Sequence, residues 1–262
     1  MIGATTPIDL SVVIPVFNER ENLAPLISEV CASLEPLGPA FEIVTVDDGS
    51  TDGSGAALDA LRGRHPQLRV IKLARNAGQT AALDAGFRRS HGAVVVTLDA
   101  DLQNDPADIP SLLTHLEGWD AVVGVRRTRR DNLVRRISSR VANYVRNRLS
   151  DETIADTGCS LKAYRREALE RLVLYNGMHR FLPTLIKMEG FRVREVPVGH
   201  RPRRHGRSKY GIGNRLLPAF VDLLAVRWMK GRRLRYEVKE DSGPPGVEVR
   251  GTVAQGSPGS GA

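Results

Sequence analysis

The chain has 262 residues, 41% hydrophobic and 26% charged, enough apolar content for a sizeable soluble core. Its net charge of +8 and pI near 9.9 admit an anionic partner: nucleic acid, an anionic membrane face or phosphorylated small molecules. Aromatics at 5% exclude stacking as the dominant mode of recognition, and two distant cysteines, Cys31 and Cys159, exclude a disulfide framework or zinc site.

Leu10 to Val16 is a β-branched apolar run, read as a buried strand, and Glu19 to Leu34 carries apolar residues at helical spacing. Phe41 to Val46 is the next predicted strand, followed by a helix from about Gly53 to Arg64 and a strand from Leu68 to Leu73. A helix over Gly78 to Ser90 and a strand over Ala93 to Leu98 come next. This alternation predicts an α/β fold, a mostly parallel sheet with helices on its faces. In such sheets ligands bind outside the carboxyl ends of the strands, where the polar clusters after Val16, Val46, Leu73 and Leu98 fall.

A fifth strand is predicted over Asp120 to Val125. Arg126 to Arg148 then holds nine arginines and one acid, and its second half keeps a helical apolar spacing. A helix near Arg165 to Leu174, a strand over Phe191 to Pro197 and a second basic stretch, His200 to Arg215, follow. The final predicted helix is Leu216 to Lys230, and from about Lys239 the composition is that of a disordered tail. No signal peptide is expected, and Asp222 and Arg227 interrupt the longest apolar stretch, so no membrane span is expected.

Asp99-x-Asp101-x-Gln103 follows an apolar strand, and hard dications such as Mg²⁺ or Mn²⁺ bind through carboxylates together with substrate phosphates. Alternation along an extended segment is expected to set these three side chains on one side. Asp47 to Gly53 matches part of a calcium loop, but a strand precedes it where an EF-hand needs a helix; a turn and helix cap is the expectation. Arginine forks suit bidentate phosphate recognition, while the absence of a nucleic-acid motif and the acidic edge argue against a polyanion. The six histidines form no ligand or triad pattern; His179 is the one nearest a plausible role.

Taken together, Val13-Ile-Pro-Val-Phe-Asn-Glu19, Val46-Asp-Asp-Gly-Ser-Thr-Asp52, Arg75-Asn76 with Gly78, Leu98-Asp-Ala-Asp-Leu-Gln103, Asp156-x-Gly158-Cys-Ser and Gly206-Arg-Ser-Lys-Tyr-Gly211 resemble the family 2 glycosyltransferases. The resemblance is to the polyprenyl-phosphate branch, of the dolichol-phosphate mannose synthase and bactoprenol glucosyltransferase kind. It implies a GT-A (Rossmann-like) fold, a GDP- or UDP-linked hexose donor, an Mg²⁺ or Mn²⁺ cofactor and a polyprenyl phosphate acceptor.

By the same resemblance, Pro15, Val16, Asn18, Glu19 and Asp48 line the nucleoside pocket, with Asp99 and Ala100 facing the nucleotide sugar. Asp101 and Gln103 hold the metal. Arg126 and Arg140 hold the donor diphosphate and acceptor phosphate, and Asp156 sits near the sugar; with Asp99 these form the expected catalytic group. Arg207 and Lys209 also contact the acceptor phosphate.

A phosphate nucleophile is already ionised near neutral pH, its second pKa being about 6, so inverting transfer needs no general base. A soluble hydroxyl acceptor, or a non-catalytic nucleotide-sugar binder, are the competing readings. Trp228 stands in a context that misses the Q/RxxRW signature of the processive synthases.

These expectations divide the chain into a transferase domain over 1–213, an amphipathic helix over 214–235 and a disordered tail over 236–262. Leu216, Leu217, Phe220, Leu223, Leu224 and Trp228 form an apolar stripe, suited either to an anionic membrane face or to the protein's own core. A cytoplasmic protein, peripheral on the membrane, is expected, with no nucleic acid partner.

Overall fold

The computed structural model describes residues 8–38, 40–126, 154–203 and 213–234, with 213–219 described by their backbone. Seven strands form one sheet: β1 (Leu10–Val16), β2 (Phe41–Asp47), β3 (Leu68–Lys72), β4 (Val94–Thr97), β5 (Ala121–Arg126), β6 (Lys162–Arg165) and β7 (Val193–Val198). Their order is β3-β2-β1-β4-β6-β5-β7. β1, β2, β3 and β4 run parallel, as do β5 and β7, and β6 runs antiparallel between β4 and β5. The mostly parallel sheet is as expected; the antiparallel insertion was not foreseen.

The helices among the described residues are α1 (Arg20–Leu34), α2 (Ser54–Arg62), α3 (Gln79–Arg89), α4 (Ile109–His115), α5 (Arg166–Glu170), α6 (Leu182–Met188) and α7 (Gly213–Arg232). They cover both faces, which is why β1 and β2 are buried almost throughout rather than on alternate residues. On one face Leu23, Leu26, Ile27 and Val30 of α1 pack with Leu58 and Leu112 against Val12, Ile14 and Ile43. On the other, Leu83 and Phe87 of α3 and Leu185 and Ile186 of α6 pack with Val13, Val44 and Val95. Cys31 and Cys159 are buried thiols, as expected.

α3 lies close on the sheet because Gly86 faces it: a Cβ there would stand 2.4 Å from Val13 Cγ1. Pro15 is tolerated in β1 because it lies past the last β1–β4 pair, Val13 with Thr97, where the sheet opens towards the site.

α7 divides its apolar residues between two environments. Leu223 and Val226 are buried in the core, whereas Phe220, Val221, Leu224 and Trp228 are exposed. The core reading of this helix therefore holds for Leu223, and the exposed residues of the stripe are Phe220, Leu224 and Trp228. No helix among the described residues is long and apolar enough to cross a membrane. The predicted helical half of 126–148 and the tail over 236–262 lie outside the described residues.

Candidate active site

Four loops meet at the carboxyl edge of the parallel strands. The loop after β1 is latched onto the loop after β2 by Asn18, whose backbone is left-handed at φ 54°. Its Oδ1 accepts from Thr51 N at 2.7 Å, and its own N–H donates to Ser50 Oγ at 3.0 Å. Asp52 accepts from Ser54 N at 2.9 Å and Ser54 Oγ at 2.6 Å at the start of α2; burial opposes its charge, but these hydrogen bonds hold the carboxyl below its usual range. The expected turn is present, with Ser50 N donating to Asp47 Oδ1 at 3.0 Å, whereas the residue at the N-cap of α2 is Gly53, which caps with no side chain.

Asp48 is 3% exposed and turns its carboxylate to the loop after β3. It accepts from Ala77 N at 2.7 Å, Gly78 N at 2.9 Å and Asn76 Nδ2 at 2.9 Å. Its oxygens are thus spent on shaping the start of α3. Gly49 beside it, at φ +70°, lets Arg75 and Asn76 pass, since a Cβ would lie 2.6 Å from Asn76 N. Val16 and Ala100 are 1% and 3% exposed members of the core, so they can offer a ligand backbone atoms but no side chain.

After β4 the chain does not stay extended. It enters a turn at Ala100–Asp101, and Leu102 is left-handed at φ 60° with its side chain 1% exposed. The expected alternation through Gln103 is therefore wrong: burying Leu102 requires the chain to fold back. Asp99 and Asp101 nonetheless remain electrostatic neighbours. Burial pushes the Asp99 carboxyl up to about 6, with the Asp101 charge adding to the rise and Ser160, Lys162 and Arg203 pulling against it. Gln79 Nε2, from the first turn of α3, donates to Asp99 Oδ1 at 2.8 Å.

Asp101 Oδ2 accepts from Arg203 Nη2 at 2.6 Å, and Arg203 Nη1 stands 3.4 Å from Glu19 Oε1. Gln103 anchors the same neighbourhood by its backbone, accepting from Arg201 N at 2.8 Å and donating to Asp101 Oδ1 at 3.2 Å. Glu19 also accepts from Asn22 Nδ2 at 2.7 Å.

This donor set fits a hard dication. Burial raises Asp99, the neighbouring Asp101 charge adds to the rise, and a guanidinium already balances Asp101. Among the described residues no group of three or more His, Cys, Asp or Glu could hold a metal by itself. An ion here would therefore draw its remaining oxygen ligands from a bound phosphate and water, as Mg²⁺ and Mn²⁺ do.

Arg126 and Asp156, which had been assigned to phosphate and sugar separately, pair with each other. Nε donates to Oδ2 at 2.6 Å and Nη2 to Oδ1 at 2.8 Å, with both side chains largely buried. The bidentate pair ties the end of β5 to the segment entering β6. Arg140, Arg207 and Lys209 lie outside the described residues.

Between these loops and the segment 176–182 lies a cavity of about 640 Å³, lined by Pro15, Gln79, Asp99, Lys162, Arg180 and Asp222 among others. His179 also lines it, with Nδ1 2.8 Å from Thr80 Oγ1. Burial pushes the Asp222 carboxyl up, with Arg180 opposing the rise. Gln79, Lys162, Arg203 and Asp222 were not singled out from the sequence. The one available signal was Lys162, a lysine set between the apolar residues Leu161 and Ala163.

The family pattern of Glycosyl transferase family 2 matches residues 11–173. The chain is 40% identical over 246 residues to the dodecaprenyl-phosphate galacturonate synthase of Rhizobium johnstonii, covering 90% of this chain and 71% of that one. It is 41% identical over 217 residues to the undecaprenyl-phosphate 4-deoxy-4-formamido-L-arabinose transferase of Salmonella dublin, covering 82% of this chain and 66% of that one.

Among solved structures, it superposes at TM-score 0.63 and 22% identity on glucosyl-3-phosphoglycerate synthase from Mycobacterium tuberculosis, in complex with Mn²⁺, UDP and glucosyl-3-phosphoglycerate. That match covers 85% of this chain and 80% of that one. A mannosyltransferase from Pyrobaculum calidifontis, in complex with GDP-Man and Mn²⁺, superposes at TM-score 0.54 and 23% identity, covering 86% and 70%. These two likenesses speak for the GT-A fold alone. The strand-end loops, the paired acids after β4 and the family match over most of the sheet agree, and the chain belongs to glycosyl transferase family 2.

Proposed function

We propose that this protein moves a sugar from a nucleoside diphosphate donor, GDP- or UDP-linked, to a polyprenyl phosphate, with inversion at the anomeric carbon and with Mg²⁺ or Mn²⁺. The observation that carries the reading is the cavity at the carboxyl ends of β1 and β4, with Asp99 in its wall and Asp101 beside it. The relatives named above, at 40% and 41% identity, act on polyprenyl phosphates by their names, which supports the acceptor. Metal complexes of the two structural neighbours support the ion.

Asp101, with Gln103 adjoining, would hold the ion, which supplies charge stabilisation for the departing diphosphate. Asp99, fixed by Gln79 and by its place at the end of β4, orients the donor in the cavity. Asn18 and Asp48 shape the nucleoside side by holding the loops after β1, β2 and β3 together. The acceptor phosphate attacks from its own ionised oxygen, so no protein base has to take a proton.

Exposed Phe220, Leu224 and Trp228 of α7, with Arg227, Lys230 and Arg232 on the same helix, suit a peripheral place on an anionic membrane face. The division into a transferase domain over 1–213, this helix and a tail from 236 belongs to the same reading, as does a cytoplasmic location.

A second acceptor has one observation in its favour. A soluble hydroxyl compound would need a base, and Asp222 is a carboxylate in the cavity wall with its proton affinity raised by burial. The two are separated by incubating labelled donor, Mn²⁺ and membrane lipid with the protein. Label moving into an organic-extractable product supports the lipid acceptor; label confined to aqueous products sinks it.

A further inference from the structure

Lys162 opens β6, paired with Thr97 of β4 on one side and Val123 of β5 on the other. Its side chain is 3% exposed, and it lines the cavity together with Thr97, Asp99, Ser160 and Arg180. Its strand neighbours Leu161, Ala163 and Tyr164 are all core residues. A leucine or methionine would fill such a position without the cost of dehydrating an ammonium.

Buried lysines are almost always paired. Among the described residues the Lys162 ammonium has no carboxylate within 4.0 Å and no hydrogen-bond acceptor. Asp99 and Asp156 attract it from further off, Arg126 repels it, and burial pushes its pKa down. The cation is thus held in the cavity wall, nearly buried, with its hydrogen-bonding capacity unspent. Asp99 is turned instead to Gln79, and Asp156 to Arg126.

We propose that Lys162 is an anion-binding residue of this cavity, its ammonium taking an oxyanion carried by one of the two substrates. The inference rests on the glycosyl-transfer reading above. A donor diphosphate has the ion at Asp101 as its own counter-charge. The remaining anionic groups open to Lys162 are a carboxylate on the transferred sugar and the monophosphate of the acceptor. Both present the same chemistry, a resonance-stabilised oxyanion that accepts from an ammonium.

Titration calorimetry on the full chain with Mn²⁺ separates the sources. The probes are UDP, UDP-glucose, UDP-glucuronate, GDP-mannose and GDP-mannuronate as donors, and inorganic phosphate added to the protein–UDP–Mn²⁺ complex. If the sugar carboxylate is the ligand, the wild type prefers the uronate of a pair, and Lys162→Gln erases the preference, weakening that probe about 10- to 100-fold. If the acceptor phosphate is the ligand, Lys162→Gln weakens phosphate by a similar factor and leaves the donors alone.

Lys162→Arg should keep either affinity, which a purely structural role would not demand. Lys162→Met, an apolar chain of similar length, serves where the glutamine variant does not fold. The proposal is overturned if a folded Lys162→Gln or Lys162→Met protein binds every probe as the wild type does. A wild type that binds UDP but shows neither response to Lys162 replacement overturns this inference alone. One that binds no nucleotide at all removes the donor reading, and this inference with it.

Discussion

Arg203 joins the loops after β1 and β4 through one guanidinium, donating to Asp101 Oδ2 at 2.6 Å and approaching Glu19 Oε1 at 3.4 Å. A dication arriving at Asp101 therefore meets a carboxylate that is already balanced. Arg203→Gln should tighten Mn²⁺ binding in the absence of nucleotide by about 3- to 10-fold, the scale of a partly exposed ion pair of about 1 kcal/mol. Titration followed by electron paramagnetic resonance reads free Mn²⁺ directly. Unchanged or weaker affinity would show that the two cations do not compete.

The Arg126–Asp156 pair supports a different measurement. Its exposure is 16% and 12%, so removing the bidentate acceptor should be expensive: Asp156→Ala is expected to cost about 3 kcal/mol in urea unfolding. The double replacement Arg126→Ala/Asp156→Ala should cost clearly less than the sum of the two singles, because neither then leaves a buried charge behind. Additive losses would mean that the pair contributes nothing as a pair.

Glu42 gives a pH signature remote from the site. It is 2% exposed and accepts from Ser11 Oγ at 2.7 Å and His91 N at 2.6 Å, with Arg69 paired to its other oxygen. Burial opposes the charge, but Arg69 and these donors hold the carboxyl below its usual 4.5. A depressed carboxyl stabilises the fold above its unfolded value and loses that contribution as pH falls through the folded one. Glu42→Gln should therefore lower the melting temperature near pH 7, and the gap to wild type should narrow below pH 4.5. A gap constant with pH would refute the assignment.

Gly86 sets helix propensity against packing. Alanine would stabilise α3 by up to about 1 kcal/mol through propensity alone. Its Cβ, however, would fall 2.4 Å from Val13 Cγ1 and 3.3 Å from Val46 Cγ2, in a core where Val13 is fully buried. Overpacking of this kind costs about 1–3 kcal/mol, and β-branched valine cannot swing away, so the clash wins. Gly86→Ala is expected to lower the melting temperature by several degrees, and Val13→Ala in the same chain should recover part of the loss. No recovery would place the strain elsewhere.

Much of this was legible in advance. β1, β2 and β4 announced themselves as β-branched runs ending in polar clusters, because strands buried on both faces have no need to alternate. β6 was not legible: four residues, Lys162–Arg165, with a cation at each end, look like surface. α6 hid for the opposite reason, since Leu182, Pro183, Thr184, Leu185 and Ile186 are all buried and show no polar face to mark a period. The acids after β4 were found by type and context, but their geometry depends on a left-handed Leu102 that no local rule demands. The partnerships of Arg126 with Asp156 and of Arg203 with Asp101 are long-range matters, set by the topology that brings those segments together.

That topology orders events in time as well as space. β4 and β5 are both made before β6, yet each pairs with β6 and not with the other. Until Lys162–Arg165 leaves the ribosome, the facing edges of β4 and β5 are both bare, the kind of surface that recruits other strands. The late strand seals both edges at once, and the same insertion brings Lys162 and the Asp156–Ser160 segment to Asp99. A growing chain thus gains one wall of the cavity in the step that covers these two edges, and a fragment ending before residue 162 would have neither.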